Sequence, residues 1–294
     1  MATPLSADKL LRALRDEGLR VVEHRSWRTH NRNHKGAWGP VYGVMIHHTV
    51  TSGTQSSVDL CYDGHSSLPG PLCHGVIAKD GTVHMVGHGR ANHAGLGDDD
   101  VLRAVISETA LPADNEANTD GNRSFYGFEC INLGNGKDPW PAAQLLAIER
   151  AAAAICRAHG WNQRSVIGHK EWQPGKIDPR GFTMGSMRTR VRTRLAGKPD
   201  GPAKPPTPKP PATYEPFPGA AFFRAGRRSA VITAMGKRLV AEGCGKYEVG
   251  PGPAWSEADR ASYAAWQRKL GYSGSGADGV PGRTSWDKLK VPNV

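Results

Sequence analysis

The side chains best suited to chemistry lie in Gly168-His169-Lys170-Glu171-Trp172-Gln173-Pro174-Gly175-Lys176-Ile177-Asp178-Pro179. Val166-Ile167 reads as a short apolar strand that delivers His169 to its end. Pro174-Gly175 reads as a turn that brings Lys176 and Asp178 back toward it. A strand-end histidine and a returning carboxylate can supply two ligands to one zinc ion, with a lysine beside it. They can equally be a surface loop whose His and Asp cap local backbone groups, and a short motif alone does not decide.

A second histidine site lies far upstream, at Val44-Met45-Ile46-His47-His48-Thr49. This is a buried-strand pattern ending in paired histidines. Adjacent side chains on a strand point to opposite faces, so one histidine is a candidate ligand and the other packs or hydrogen-bonds. With His169 and Asp178, one such histidine makes a two-His, one-carboxylate set. Three protein ligands leave a fourth tetrahedral position open, as a catalytic zinc requires. No CxxC pairing is present to close a structural site. A third candidate is Glu129, the one carboxylate in the apolar run Ser124–Leu133. Burying it is costly unless it is paired or its pKa rises, and a raised pKa suits a general base. A Glu that salt-bridges an arginine is the plainer alternative.

Five pieces in order resemble the zinc-dependent N-acetylmuramoyl-L-alanine amidases shared by phage endolysins and peptidoglycan recognition proteins. They are Ile46-His47-His48-Thr49, Leu72 to Val83, Asn92-His93-Ala94-Gly95, Tyr126-Gly127-Phe128-Glu129-Cys130, and the His169 to Asp178 segment. Each is weak alone. The resemblance covers most of residues 40–180 and selects His47 over His48 as ligand. It implies zinc held by His47, His169 and Asp178, with Glu129 as catalytic base. It also implies oxyanion stabilisation by Lys176, helped by His93, whose family equivalent contacts the substrate or the reacting centre. His74 either faces the groove or packs. The implied substrate is bacterial peptidoglycan, cut between N-acetylmuramic acid and L-alanine. A wall receptor without catalysis, a zinc peptidase cutting the stem peptide and a basic DNA-associated protein are the rival readings.

These residues need a scaffold. The expected class is α/β, a mixed sheet flanked by helices, followed by a small all-α domain of three helices. Ser6 caps a helix to Asp16 with Leu10, Leu11 and Leu14 as its stripe, and Leu19–Val22 is a strand. Residues 49–71 form a long loop with a short helix near Val58–Tyr62. Cys73 to Val86 is a hairpin around Lys79-Asp80-Gly81. Asp98-Asp99-Asp100 starts a helix and reads as a solvated face, since EF-hand spacing is absent. Trp140-Pro141 opens a long helix with Leu145, Leu146, Ile148, Ala152 and Ile155 buried, and His159-Gly160 closes it. The expected domains are 1–195, catalytic; 196–218, a Pro/Lys-rich extended spacer; and 219–294, wall-binding. In the last, helices are expected over 229–242 and 256–270, with Thr284 capping a third. Trp266 to Tyr272 and Asp278 to Thr284 resemble a three-helix peptidoglycan-binding module.

The composition is that of a globular chain, 38% hydrophobic with net charge +11, the excess densest in the last third. Such charge steers a protein to polyanions, but no helix-turn-helix or zinc-finger pattern is present, so no nucleic-acid partner is expected. No apolar run approaches the ~20 residues of a membrane span, so no membrane insertion is expected; nor is any secretory signal seen. By the resemblance, the protein waits in a host cytoplasm until a membrane pore releases it to the wall, and acts as a monomer. The five cysteines are expected to be mostly free thiols, with a Cys61–Cys73 pairing disfavoured and no cysteine on the metal.

Overall fold

The computed structural model describes residues 2–202 and 214–294, and the chain divides into two compact units at residues 205 and 206. The middle of the expected proline spacer, 203–213, lies outside the described residues.

The first unit is built on a six-stranded mixed sheet. Its strands are β1 (Val21–Glu23), β2 (Gly43–His48), β3 (Gly75–Ile77), β4 (Val83–Met85), β5 (Phe125–Cys130) and β6 (Val166–Gly168). The spatial order is β1-β4-β3-β5-β2-β6. Strands β3, β5, β2 and β6 run parallel, and β4 pairs antiparallel with β3 through the expected hairpin. The C-terminal ends of β5, β2 and β6 therefore lie side by side. His47 is in register with Glu129, and Gly168 with Ile46.

Strand alternation gives the two faces different company. Val44, Ile46, Tyr126, Phe128 and Val166 pack with α1 (Ala7–Asp16), α4 (Ala142–His159) and α5 (Met184–Ala196). Ser6 Oγ caps α1 by accepting from Lys9 N, and Leu10, Leu11 and Leu14 are buried as expected. In α4, burial runs from Ala147 to Cys156 on almost every side, while Leu145 and Leu146 are only half-buried. The cause is packing: α1 and α5 cover the side that the sheet does not. The opposite face carries Met45, Phe125 and Ile167 under α3 (Asp99–Ile106) and Trp172.

Two expectations on local structure need correction. The helix in the 49–71 loop is α2, Thr54–Asp63, a full ten residues. Asp98 is buried rather than solvated: its carboxylate caps α3 and accepts from Asp100, Val101, Asn115 and Glu116 N. Four backbone donors make burial of that charge tolerable. As expected, Cys61 and Cys73 are free thiols, both buried in one apolar cluster. Of the expected spacer 196–218, residues up to 202 are tied down, because Asp200 pairs with Arg150 and Arg194. Its other end, from Tyr214, belongs to the second unit.

That unit packs α6 (Ala230–Ala241), α7 (Glu257–Lys269) and α8 (Arg283–Leu289) around Met235, Leu239, Tyr263, Trp266 and Trp286. Trp286 Nε1 donates to Glu215 O and Trp266 Nε1 to Ser285 O, so its large aromatics are core. Gly282, not Thr284, is the N-cap of α8. Ser285 Oγ, at the third helical position, accepts from Gly282 N at 3.3 Å. Among the described residues no helix is long and apolar enough to cross a membrane.

Candidate metal centre at the strand ends

The loop after β6 is folded back by local bonds. His169 begins a single 3-10 turn, His169–Glu171, and Glu171 accepts from Gly168 N while pairing with Arg188. Lys176 N donates to Gln173 O across the Pro174-Gly175 turn, where Gly175 has φ +83°. Lys170 N then donates to Asp178 O (2.7 Å) and Lys170 Nζ to Pro179 O (2.7 Å). Gly168 is needed at the crossing, since a Cβ there would lie 2.8 Å from Pro179 Cδ. These contacts bring Asp178 beside His169, as the turn chemistry predicts.

The outcome is a triangle. His47 Nδ1 to His169 Nδ1, His47 Nδ1 to Asp178 Oδ2, and His169 Nδ1 to Asp178 Oδ2 are each 3.1 Å. Three donors at roughly 2.0–2.1 Å from a tetrahedral ion stand about this far apart. Both histidines are buried, and Asp178 keeps a side chain 14% exposed. The donor set therefore fits a divalent ion with one side left open. Burial pushes the His47 imidazole down to about 4, partly offset by Asp178. Burial alone would raise the Asp178 carboxyl, but hydrogen bonds from His169 and His47 hold it well below the usual range. Both directions favour the forms that ligate metal, neutral imidazole and carboxylate.

Glu129 stands beside His47 across the strand pair. Its Oε2 is buried and has no hydrogen-bond partner. Burial, then the nearby Asp178 charge, raises its pKa to about 8, while Lys176 pulls the other way. No arginine pairs it. Lys176 is exposed, and its ammonium makes no hydrogen bond or ion pair among the described residues. Its positive charge lowers the pKa of both His47 and Glu129.

His93 is placed differently from the expectation. It is buried against His47, with His47 Nε2 3.1 Å from His93 Nδ1 and His93 Nε2 3.3 Å from Phe125 O. Both ring nitrogens are engaged inside the protein, so neither is free to touch a substrate or an oxyanion. His74 packs rather than facing the groove. Its Nδ1 accepts from Gly127 N (2.9 Å) and its Nε2 donates to Gly89 O (2.9 Å). His48, on the other face, accepts from Arg180 N at 3.1 Å and so helps hold the returning segment. Sequence reasoning missed Gln173, whose Oε1 lies 3.2 Å from His169 Nε2. Its position one turn after His169 is the only signal that could have found it.

A mixed sheet that gathers two histidines and a carboxylate at its strand ends, with a desolvated glutamate alongside, is the framework of a hydrolase. Residues 37–181 match the N-acetylmuramoyl-L-alanine amidase family. That span is an N-acetylmuramoyl-L-alanine amidase domain, and the chain is a peptidoglycan amidase. Similar solved structures include the endolysin amidase LysCS from Clostridium intestinale, 15% identical over 58% of this chain and 95% of that one, TM-score 0.39. A mutant endolysin from Bacillus subtilis is 16% identical over 59% and 99%, TM-score 0.41. AmiD from E. coli, solved with anhydro-N-acetylmuramic acid-L-Ala-D-gamma-Glu-L-Lys, is 16% identical over 88% and 90%, TM-score 0.38. No curated protein matches the chain.

Proposed function

We propose that the amidase is zinc-dependent, with His47, His169 and Asp178 as its ligands, Glu129 as general base and Lys176 as oxyanion stabiliser. The observation that carries this is the 3.1 Å donor triangle beside a buried, unpartnered carboxylate oxygen. A zinc ion held there supplies Lewis-acid polarisation of the scissile carbonyl and activates water. Glu129 takes the proton of the attacking water and returns it to the leaving L-alanine amine. Its raised pKa makes both transfers feasible near neutral pH. Lys176, unpaired and on a turn, offers its ammonium to the developing negative oxygen. Buried His93 is left out of the reacting groups.

The wider role follows from this reading. The second unit serves as a wall-binding module that raises enzyme concentration at its substrate. The protein works, as a monomer, as a phage endolysin, held in the host cytoplasm until a pore admits it to the wall. Partners are peptidoglycan alone, without nucleic acid or membrane insertion. Mass analysis of fragments from purified wall tests the core claim. Free stem peptides beginning with L-alanine, lost on chelation and regained with zinc, are expected. Cleavage within the peptide, or turnover indifferent to chelator, would overturn it.

A further inference from the structure

The buried pair of His93 and His47 does something that substrate contact would not. We propose that His93 is a positioning residue for the metal centre: by accepting from His47 Nε2–H it fixes the tautomer that leaves His47 Nδ1 free to ligate. The inference rests on the zinc reading above.

The polarity of the chain of bonds is set from its far end. Phe125 O can only accept, so His93 Nε2, 3.3 Å away, carries the proton. His93 Nδ1 is then a lone pair, and it faces His47 Nε2 at 3.1 Å. That contact is satisfied only if His47 carries its proton on Nε2. His47 Nδ1, the atom in the donor triangle, is left unprotonated toward His169 and Asp178. The reverse order would set the His93 Nε2 lone pair against a carbonyl and put a proton in the middle of the triangle. A backbone carbonyl thus selects one tautomer of His93, and His93 selects one of His47. Ligating imidazoles held through their second nitrogen commonly depend on such a partner.

The rest of the structure secures the His93 ring. A Cβ at Gly127 would lie 2.5 Å from His93 Nδ1, so only glycine in the middle of β5 leaves space for the ring. Asn122 Oδ1 accepts from both His93 N and Ala94 N, each at 2.8 Å. Trp172, three residues after His169, donates its Nε1 to Ala94 O (2.9 Å) and lies against Gly97 and Gly121. The loop bearing His93 is thereby fastened to the loop bearing His169, and both histidine ligands are oriented through one connected set of contacts.

The test compares His93→Phe, which keeps ring volume without an acceptor, with His93→Asn, whose Oδ1 can replace Nδ1. Zinc affinity of the full chain is measured by chelator competition, alongside the unfolding midpoint of the metal-free forms. The Phe variant is expected to bind zinc ~10–100-fold more weakly, with Asn recovering most of the loss. Equal affinity for Phe and wild type, or Asn as weak as Phe, overturns the inference. Should the Phe variant fail to fold, nitrogen-15 NMR of the zinc-loaded wild type decides: a proton on His47 Nε2 is expected, and one on Nδ1 overturns the proposal. A wild type that binds no zinc removes the zinc reading itself, and this inference with it. Tight wild-type binding with indifferent variants removes this inference alone.

Discussion

His47 and His48 are neighbours on β2, both buried, and belong to different proteins in effect. His48 faces the helices and takes one backbone hydrogen bond. His47 faces the site, where its Nδ1 meets two other potential ligands at 3.1 Å. The same division runs through the sheet. On the helix side, buried charge is paired: Glu149 with Arg190 and Arg194, and Glu17 with Arg157 and Arg194. On the site side, Glu129 Oε2 has no partner. Glu17 Oε1 also lacks a hydrogen bond but lies 3.6 Å from Arg194, whereas Glu129 has no counter-ion within ion-pair distance among the described residues. A buried carboxyl left without one costs stability, and its persistence marks the face on which polarity is kept for chemistry. The contrast predicts that substitutions on the site face remove activity while sparing the fold, and that those on the helix face do the reverse.

The largest effect is expected at Asp178. On the zinc reading proposed above, Asp178→Ala removes one corner of the triangle and should abolish zinc retention, with amidase activity falling by at least ~10³-fold, since a bound metal would contribute several kcal/mol to the transition state. Metal content and stem-peptide release check both. Retained zinc with retained activity would mean that the triangle is not the reaction centre.

Glu129→Gln should come next, lowering turnover by ~10²–10⁴-fold without weakening the fold. Its stability signature has a definite sign. The Glu129 pKa is raised to about 8 by burial, so wild type gives up stability as pH rises from the ordinary glutamate value, about 4.3, toward 8. The Gln variant does not. In metal-free protein the variant should therefore gain on wild type across that window, by up to a few kcal/mol. Parallel denaturation curves at pH 5 and 8 show it, and no divergence would mean that Glu129 is solvated. The buried imidazoles of His47 and His74 act in the opposite sense. Burial lowers them to about 4 and about 3, so both proteins lose stability from them as pH falls below about 6.5, and this contribution cancels in the comparison.

Lys176→Ala should cost about 10²-fold in kcat, the scale of one oxyanion donor. Because Lys176 holds the Glu129 pKa down, the acid limb of the pH–rate profile should also move to higher pH. A loss in KM alone, with an unmoved limb, would place Lys176 in substrate binding instead.

Much of this face is legible in the sequence. His169, the Pro174-Gly175 turn and Asp178 announce a returning loop, because turn residues act locally. Strand alternation separates His47 from His48 but does not say which faces the site; the family resemblance supplied that choice. The burial of His93 is hidden in the sequence for a physical reason. Its role depends on Gly127, distant in sequence, having no side chain, and on a carbonyl of β5 lying 3.3 Å away. Neither is visible in an Asn-His-Ala-Gly string. Asp98 was misread similarly: an aspartate triplet looks solvated until Asn115 and Glu116 return to bond its first member.

The smallest effect sharpens the comparison most. His48→Gln removes one buried acceptor for Arg180 N, a neutral hydrogen bond worth about 1 kcal/mol. Lys170 still holds the returning segment through Asp178 O and Pro179 O, at 2.7 Å each, so Asp178 should stay in place. Stability is expected to fall by about 1–2 kcal/mol, zinc affinity to hold within a few-fold, and kcat to fall less than ~10-fold. These residues sit one position apart on a single strand, so chain position, burial and residue type are matched. The substitutions differ in the face they disturb. If His48→Gln stripped the metal as His47→Gln should, the returning segment would depend on the helix face after all, and the division of labour between the two sides of the sheet would fail.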